Sequence, residues 1–298
     1  LLNMSQGTAN LLGEFKSLEA QCYPLSKEDL NEETMKKNRI QVLVLCPHES
    51  YTNDLVEKII NFRLAGGSVY TTYEYAETFL KKIPIDALKG EFFAFANGFP
   101  LVKSKIRNRV KRAMDLGISL VLGTLSLPLC LIVAILIKLT SRGPVLFSQL
   151  RTGINGKDFY LYKFRSMVCD AEKDGAQWSK ENDPRITGVG KILRKTRIDE
   201  IPQFLNILRG DMSLVGPRPE RPEFNEFLEK EIPFYNLRHT VRPGVTGWAQ
   251  IFYPYGASIE DSVRKFEYEL YYIKNFDILM DFSVILKTIK TLIMGKGR

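Results

Sequence analysis

Asp199 and Glu200 are adjacent carboxylates in the run Leu193-Arg-Lys-Thr-Arg-Ile-Asp-Glu-Ile-Pro-Gln-Phe-Leu-Asn-Ile-Leu208, with Arg194 and Arg197 just upstream. Carboxylates beside guanidinium groups have two chemical uses. One attacks a phosphorus atom whose charge the cations neutralise; the other holds a divalent cation that neutralises a diphosphate. Ile201, Phe204, Leu205 and Leu208 follow at helical spacing, with Pro202 in the first turn, where it is tolerated. The pair is therefore expected at a helix N-terminus, where backbone N–H groups and the helix dipole favour anions. Aspartate is also a common N-cap, so the pair alone does not define a site.

It has company. In Gly210-Asp-Met-Ser-Leu-Val-Gly-Pro-Arg-Pro219 two prolines flank Arg218 and fix the local backbone, which lowers the entropy cost of presenting the guanidinium. Arginine also suits bidentate contacts to phosphate. Three further basic segments are locked by turns or punctuated by proline and glycine. They are Lys163-Phe-Arg-Ser-Met167, Asp183-Pro-Arg-Ile-Thr187 and Arg242-Pro-Gly-Val-Thr-Gly-Trp248. Together they imply a polyanionic ligand, with Lys163, Arg165, Arg185, Arg194, Arg218 and Arg242 as candidate phosphate contacts. Any one of these arginines alone reads more simply as a surface ion-pair partner.

The elements that must position these groups are partly legible. The 298 residues carry a formal charge of +8, with 45% hydrophobic and 26% charged residues, a globular balance with a basic surplus. That surplus suits nucleic acid, anionic lipid or small phosphorylated molecules. Cys22, Cys46, Cys130 and Cys169 stand far apart, against a disulfide framework or zinc ribbon and in keeping with a reducing compartment. The opening at Leu1 shows no secretory signal, and residues upstream, a membrane segment included, are expected to lie outside this chain. Residues 1–38 are polar and without a clear period. Residues 39–102 read as a β-α-β-α-β module, with strands at Ile40–Leu45, Val69–Tyr70 and Phe92–Phe95 and helices over Asp54–Leu64 and Tyr73–Leu80. The loop after its first strand lacks Gly-x-Gly-x-x-Gly, so no dinucleotide is assigned.

Residues 103–298 form the remainder, a mixed α/β region. It begins with Leu116–Ile137, which holds no charged residue and approaches the span of a bilayer. Basic residues flank both ends (Lys103, Lys105, Arg107, Arg109, Lys111 and Arg112 before; Lys138 and Arg142 after), which favours both ends on one cytoplasmic face. Pro128 sits near the middle, and a re-entrant helix-break-helix over about 107–140 is expected there, with Thr124 and Ser126 placed to satisfy freed carbonyls. A straight crossing and a buried soluble helix are the alternatives. The last stretch, Leu279–Met294, is a basic amphipathic helix suited to a headgroup layer or to core packing.

These motifs in this order, over about residues 105–298, resemble the bacterial sugar transferase family, the monotopic phosphoglycosyl transferases. The segments Phe252-Tyr-Pro-Tyr-Gly-Ala-Ser258 and Gly295-Lys-Gly are similar to its exopolysaccharide branch, whose members often carry a partial Rossmann-like module like residues 39–102. The resemblance implies transfer of a sugar 1-phosphate from a UDP-sugar to polyprenyl (undecaprenyl) phosphate, with release of UMP. Asp199 matches the family's nucleophile, which forms a covalent phosphosugar intermediate. Glu200 matches the paired carboxylate, with Mg²⁺ as the cofactor held by Asp199 and Glu200. Arg194 matches a basic residue near the phosphate, Arg218 belongs to the Pro-Arg-Pro motif, and Pro128 matches the break in the membrane helix. It also implies the cytoplasmic face of a bacterial inner membrane and contact with lipid.

Two departures stand out. Leu127 precedes Pro128 where relatives commonly have serine, and Glu269 stands where they usually have aspartate. A competing reading is a catalytically degenerate, membrane-anchored regulatory or binding protein of polysaccharide assembly. Nucleic-acid binding is disfavoured, because the arginines sit in proline-locked loops and a membrane segment interrupts the chain. The sugar, the carrier length and the oligomeric state, homo-oligomers included, stay open.

Overall fold

A computed structural model of the chain describes residues 32–45, 51–85, 97–171, 183–253, 256 and 258–294. The chain divides into two units, Leu1–Ala96 and Asn97–Arg298.

In the first unit, α1 (Glu32–Lys37) leads to β1 (Val42–Leu45), whose alternation puts Leu43 and Leu45 inside. Thr52 caps α2 (Asn53–Leu64) by accepting the Leu55 N–H at 3.4 Å, and the helix gives way to Gly66 at φ 93°. β2 (Ser68–Thr71) then pairs parallel with β1, from Val42↔Ser68 to Leu45↔Thr71. Thr71 and Glu74 form a capping box that starts α3 (Thr72–Tyr75), continued by a π-helical turn over Ala76–Leu80. Met35, Leu43, Leu45, Leu55 and Phe62 make the core of this β-α-β unit. The strand expected at Phe92–Phe95 lies outside the described residues.

In the second unit, α4 (Pro100–Lys103) precedes α5 (Lys105–Thr140), a helix of 36 residues. At 1.5 Å per residue it is about 54 Å long, well beyond a bilayer's hydrocarbon core of about 30 Å. Pro128 lies inside it, and the helical run continues through that position without the interruption expected there. Two hydroxyls attend the turn before Pro128: Ser126 Oγ donates to Gly123 O and Thr124 Oγ1 to Leu120 O, both at 2.8 Å. Leu120, Val121, Leu125, Leu127, Leu131, Ile132 and Ile135 of this helix are exposed, and 11% of its most apolar stretch is buried.

The residues of α5 that are buried sit towards its two ends, against the same globular unit. Lys111, Asp115 and Ser119 lie at one end, Val133 and Ile137 at the other. β3 (Leu146–Thr152) and β4 (Asp158–Phe164) form an antiparallel hairpin closed by Asn155 and Gly156, both at positive φ. Next come α6 (Gly188–Thr196), a 3₁₀ turn at Ile198–Glu200, and α7 (Gln203–Arg209). β5 (Ser213–Val215) pairs parallel with β6 (Gly244–Thr246) across α8 (Pro222–Glu231) and a 3₁₀ segment at Tyr235–Thr240. The backbones of β5 and β6 approach so closely that a Cβ on Gly216 would lie 2.4 Å from Arg242 O, which accounts for the motif glycine.

α9 (Trp248–Phe252), α10 (Ile259–Asn275) and α11 (Ile278–Ile293) complete the unit. Phe266, Leu270, Tyr272, Ile273 and Val284 are buried, and Tyr272, Ile273 and Val284 join Ile207, Met212 and Val215 in the main core. α11 packs into the core, one of the two roles weighed for it. Val284 packs inward, while Leu279, Phe282, Leu286 and Ile289 face outward.

Candidate active site

The carboxylate pair does not sit on a helix N-terminus. Arg197, left-handed at φ 56°, closes α6 and restarts the chain as the 3₁₀ turn that carries Asp199 and Glu200; α7 begins later, at Gln203, with Pro202 in the N-cap position. Side-chain cations, not a helix dipole, therefore compensate the two charges. Both carboxylates are buried. Glu200 Oε1 accepts from Arg197 Nη1 at 3.0 Å and from Arg218 Nη2 at 2.8 Å. Asp199 Oδ1 is buried with no hydrogen-bond partner.

This asymmetry separates the two groups electrostatically. Burial, reinforced by the neighbouring Glu200, pushes the Asp199 carboxyl up to about 6. Burial acts on Glu200 in the same direction, but Arg218, Arg197 and Lys163 outweigh it and hold Glu200 at about 2. Glu200 is thus a fixed anion spent on guanidinium groups. Asp199 keeps an unengaged oxygen in a setting that disfavours its charge. Desolvation of the half-buried Lys163, with Arg218 beside it, brings its ammonium down to about 8.

These groups line one cavity of about 580 Å³. Lys163, Arg165, Arg185, Arg194, Arg197 and Arg218 all border it with the carboxylate pair. Their engagements differ. Arg218 and Lys163 face the carboxylates. The Arg165 guanidinium caps the C-terminal end of α5, donating to Ser141 O at 3.0 Å, Ser141 Oγ at 2.6 Å and Arg142 O at 2.9 Å. Arg185 is bidentate on Asp183, at 2.9 Å and 2.6 Å, and also reaches Ala171 O. Arg242 lies outside the cavity's lining. It precedes β6, and its side chain turns to Gly210 O at 3.0 Å and Asn108 Oδ1 at 3.3 Å, near the carbonyl end of α7.

Sequence reasoning missed Gln149, Arg151, Arg221 and Phe224, which line the same cavity. Phe147, Gln149 and Arg151 alternate along β3 and share one face with Lys163, the partner of Phe147 in the hairpin. A period-two reading of Leu146–Thr152 would have grouped them. Arg151 also donates to Pro219 O at 3.0 Å, tying β3 to the loop of Arg218.

A divalent cation fits this chemistry in part. The free Asp199 oxygen is a good ligand, whereas Glu200 Oε1 is occupied by two guanidinium groups. Among the described residues no cluster of three or more His, Cys, Asp or Glu side chains is present, so a cation here would take most of its shell from a phosphorylated ligand and water.

The long apolar helix and this cation-rimmed carboxylate cavity define a membrane-associated α/β protein with a site matched in charge to a phosphorylated ligand. The chain belongs to the bacterial sugar transferase family, whose model matches residues 106–295. It is 45% identical over 234 residues to the UDP-N-acetylgalactosamine-undecaprenyl-phosphate N-acetylgalactosaminephosphotransferase of Aeromonas hydrophila, covering 78% of this chain and 54% of that protein. To the UDP-glucose:undecaprenyl-phosphate glucose-1-phosphate transferase of Escherichia coli K12 it is 40% identical over 202 residues, 65% of this chain and 43% of that one. The exopolysaccharide production protein PSS of Rhizobium leguminosarum bv. phaseoli is 44% identical over 195 residues, 63% of this chain and 98% of its own length. The chain thus spans about half, or less, of the first two relatives.

Proposed function

We propose that this chain transfers a sugar 1-phosphate from a UDP-sugar to undecaprenyl phosphate at the cytoplasmic face of the inner membrane, as the initiating step of exopolysaccharide or related glycan synthesis. The observation that carries the reading is the unpartnered Asp199 oxygen inside a cavity walled by Lys163, Arg194 and Arg218. Asp199 attacks the phosphorus that bears the sugar. A carboxyl–phosphorus bond forms, the bond to the nucleotide's phosphate oxygen breaks, and the electron pair leaves with UMP. The lipid phosphate then attacks the same phosphorus and returns Asp199 as a carboxylate. Arg218 and Lys163 hold the charge that gathers on the phosphoryl oxygens, and Glu200 keeps Arg218 in place. Mg²⁺, bound by Asp199 with Glu200 and the donor's diphosphate, would neutralise the leaving phosphate. The names of the relatives support this substrate class, and release of UMP from UDP-sugars by membrane fractions tests it. A purely regulatory or binding protein releases none.

The re-entrant path rests on the two ends of α5. Near its start, Asp115 Oδ1 accepts the Leu214 N–H at 3.2 Å; near its end, Val133 and Ile137 cluster with Phe164 and Leu193. A globular unit on one side of a membrane touches both ends of a helix when both ends lie on that side. In a cysteine-free background, Lys105→Cys and Arg142→Cys should both react with an impermeant reagent from the cytoplasmic side. Labelling from opposite sides means that the helix crosses.

The site also sets a pH window. Attack needs Asp199 ionised, so kcat/KM for the donor should rise through about pH 6. Anion binding needs Lys163 charged, so it should fall through about pH 8. Because the groups interact, both limbs are macroscopic. Raising the cation concentration moves the acid limb lower, since metal and proton compete for the same oxygens. The Lys163→Arg variant should lose the alkaline limb; a limb that persists in it belongs to another group.

A further inference from the structure

Arg238 and Glu269 are buried, in the 3₁₀ segment before β6 and in α10. Glu269 takes Arg238 side-on, Nε to Oε2 at 3.0 Å and Nη2 to Oε1 at 2.9 Å. Nη1 donates to Tyr235 Oη at 2.6 Å and to Asn225 Oδ1 at 3.5 Å. The fifth donor goes to the backbone of the Pro-Arg-Pro motif, with Nη2 to Arg218 O at 2.7 Å. Five N–H groups thus have five acceptors. The carbonyl of residue 218 is therefore held by Arg238, which Glu269 holds in turn.

A buried ion pair gives little net stability over an apolar pair of the same volume. Its place beneath Arg218, with every guanidinium donor satisfied, fits a role other than stability. We propose that Arg238 and Glu269 are positioning residues that clamp the main chain of Arg218 and so aim its guanidinium at the carboxylate pair and the donor's phosphates. Neither touches the reacting atoms. The inference rests on the transfer reading above, and it gives a role to Glu269, the position at which the chain departs from the usual aspartate.

The test is a double-mutant cycle on the full chain, with Glu269→Gln, Arg218→Ala and their combination. UMP release from a UDP-sugar that the parent turns over gives kcat/KM, and calorimetry gives the affinity for UDP. Glu269→Gln should lower kcat/KM by roughly 100-fold, the cost of a misplaced catalytic group. In the Arg218→Ala background the same change should cost less than about twofold, because its effect runs through Arg218. UDP affinity should follow the same pattern, with a loss of roughly tenfold in each single variant that does not multiply in the double. Equal losses in both backgrounds would mean a merely structural pair and overturn the inference. If Glu269→Gln does not fold, Glu269→Asp, which keeps the charge on a shorter arm, goes through the same cycle. A parent that turns over no UDP-sugar defeats the transfer reading, whereas the UDP-affinity cycle still decides the clamp.

Discussion

Asp199→Asn should abolish UMP release, by at least about a thousand-fold and on the order of the 10⁶ seen when a nucleophile is removed from a covalent mechanism. The amide has the same shape, but its oxygen is too weak a nucleophile to form the bond to phosphorus. The variant should nonetheless fold, and melt higher than the parent at neutral pH. The folded pKa of Asp199, about 6, lies above its unfolded value. Stability from the protonated form is therefore fully present below the unfolded pKa and lost as pH rises through about 6. At neutral pH the carboxylate has lost that contribution, and the neutral amide keeps it. Loss of activity with a raised melting temperature is a combination that misfolding cannot produce. Donor incubated with parent enzyme should leave an acid-sensitive adduct on Asp199, detectable by mass spectrometry and missing from the variant. Full activity in Asp199→Asn would remove the nucleophile assignment.

What the sequence discloses about this site follows from how local each feature is. The pair Asp199–Glu200 and the proline-locked Arg218 are written within short runs, and they meet in one cavity with Lys163 and Arg194. Which cations are available to a ligand is not written locally. Arg165 and Arg185 occur in equally suggestive motifs, yet the first is spent on the carbonyl end of α5 and the second on Asp183. The partners of Arg165 become visible once the chain is folded, whereas Asp183 stands two positions from Arg185 in the same motif. The helix N-terminus expected under Asp199 fails for a backbone reason: the left-handed Arg197 inserts a 3₁₀ turn before α7 that apolar spacing does not reveal. The membrane segment shows the same division. Its length can be read from a run without charge, but its attachment cannot. In sequence Lys111 is one more basic residue in a flank; in the fold it is buried against Asp281, 170 positions away.

That attachment carries the second large effect. Lys111 lies between Asp281 and Asp115, bonded to the first at 2.5 Å and 3.9 Å from the second, with all three buried. Tyr272 Oη donates to Asp281 Oδ1 at 2.8 Å, so the ammonium completes a network joining α5, α10 and α11. Burial pushes the Asp281 carboxyl up, and Lys111 is the chief influence that offsets this. Lys111→Met keeps the volume and strands two carboxylates, a change that costs about 3–5 kcal/mol when one partner of a buried pair is removed. Replacing the partner as well, with Asp281→Leu, should recover part of that loss, because one of the two stranded carboxylates is then gone and Asp115 keeps the Leu214 N–H. Thermal inactivation in detergent measures both: a much shorter half-life for the single variant and a partial return for the double. The network also fixes where the start of α5 meets α11, whose outward face of Leu279, Phe282, Leu286 and Ile289 suits a headgroup layer. Weakening it should therefore loosen membrane association along with the fold. A Lys111→Met protein as durable as its parent would mean that α5 is held by its apolar contacts alone.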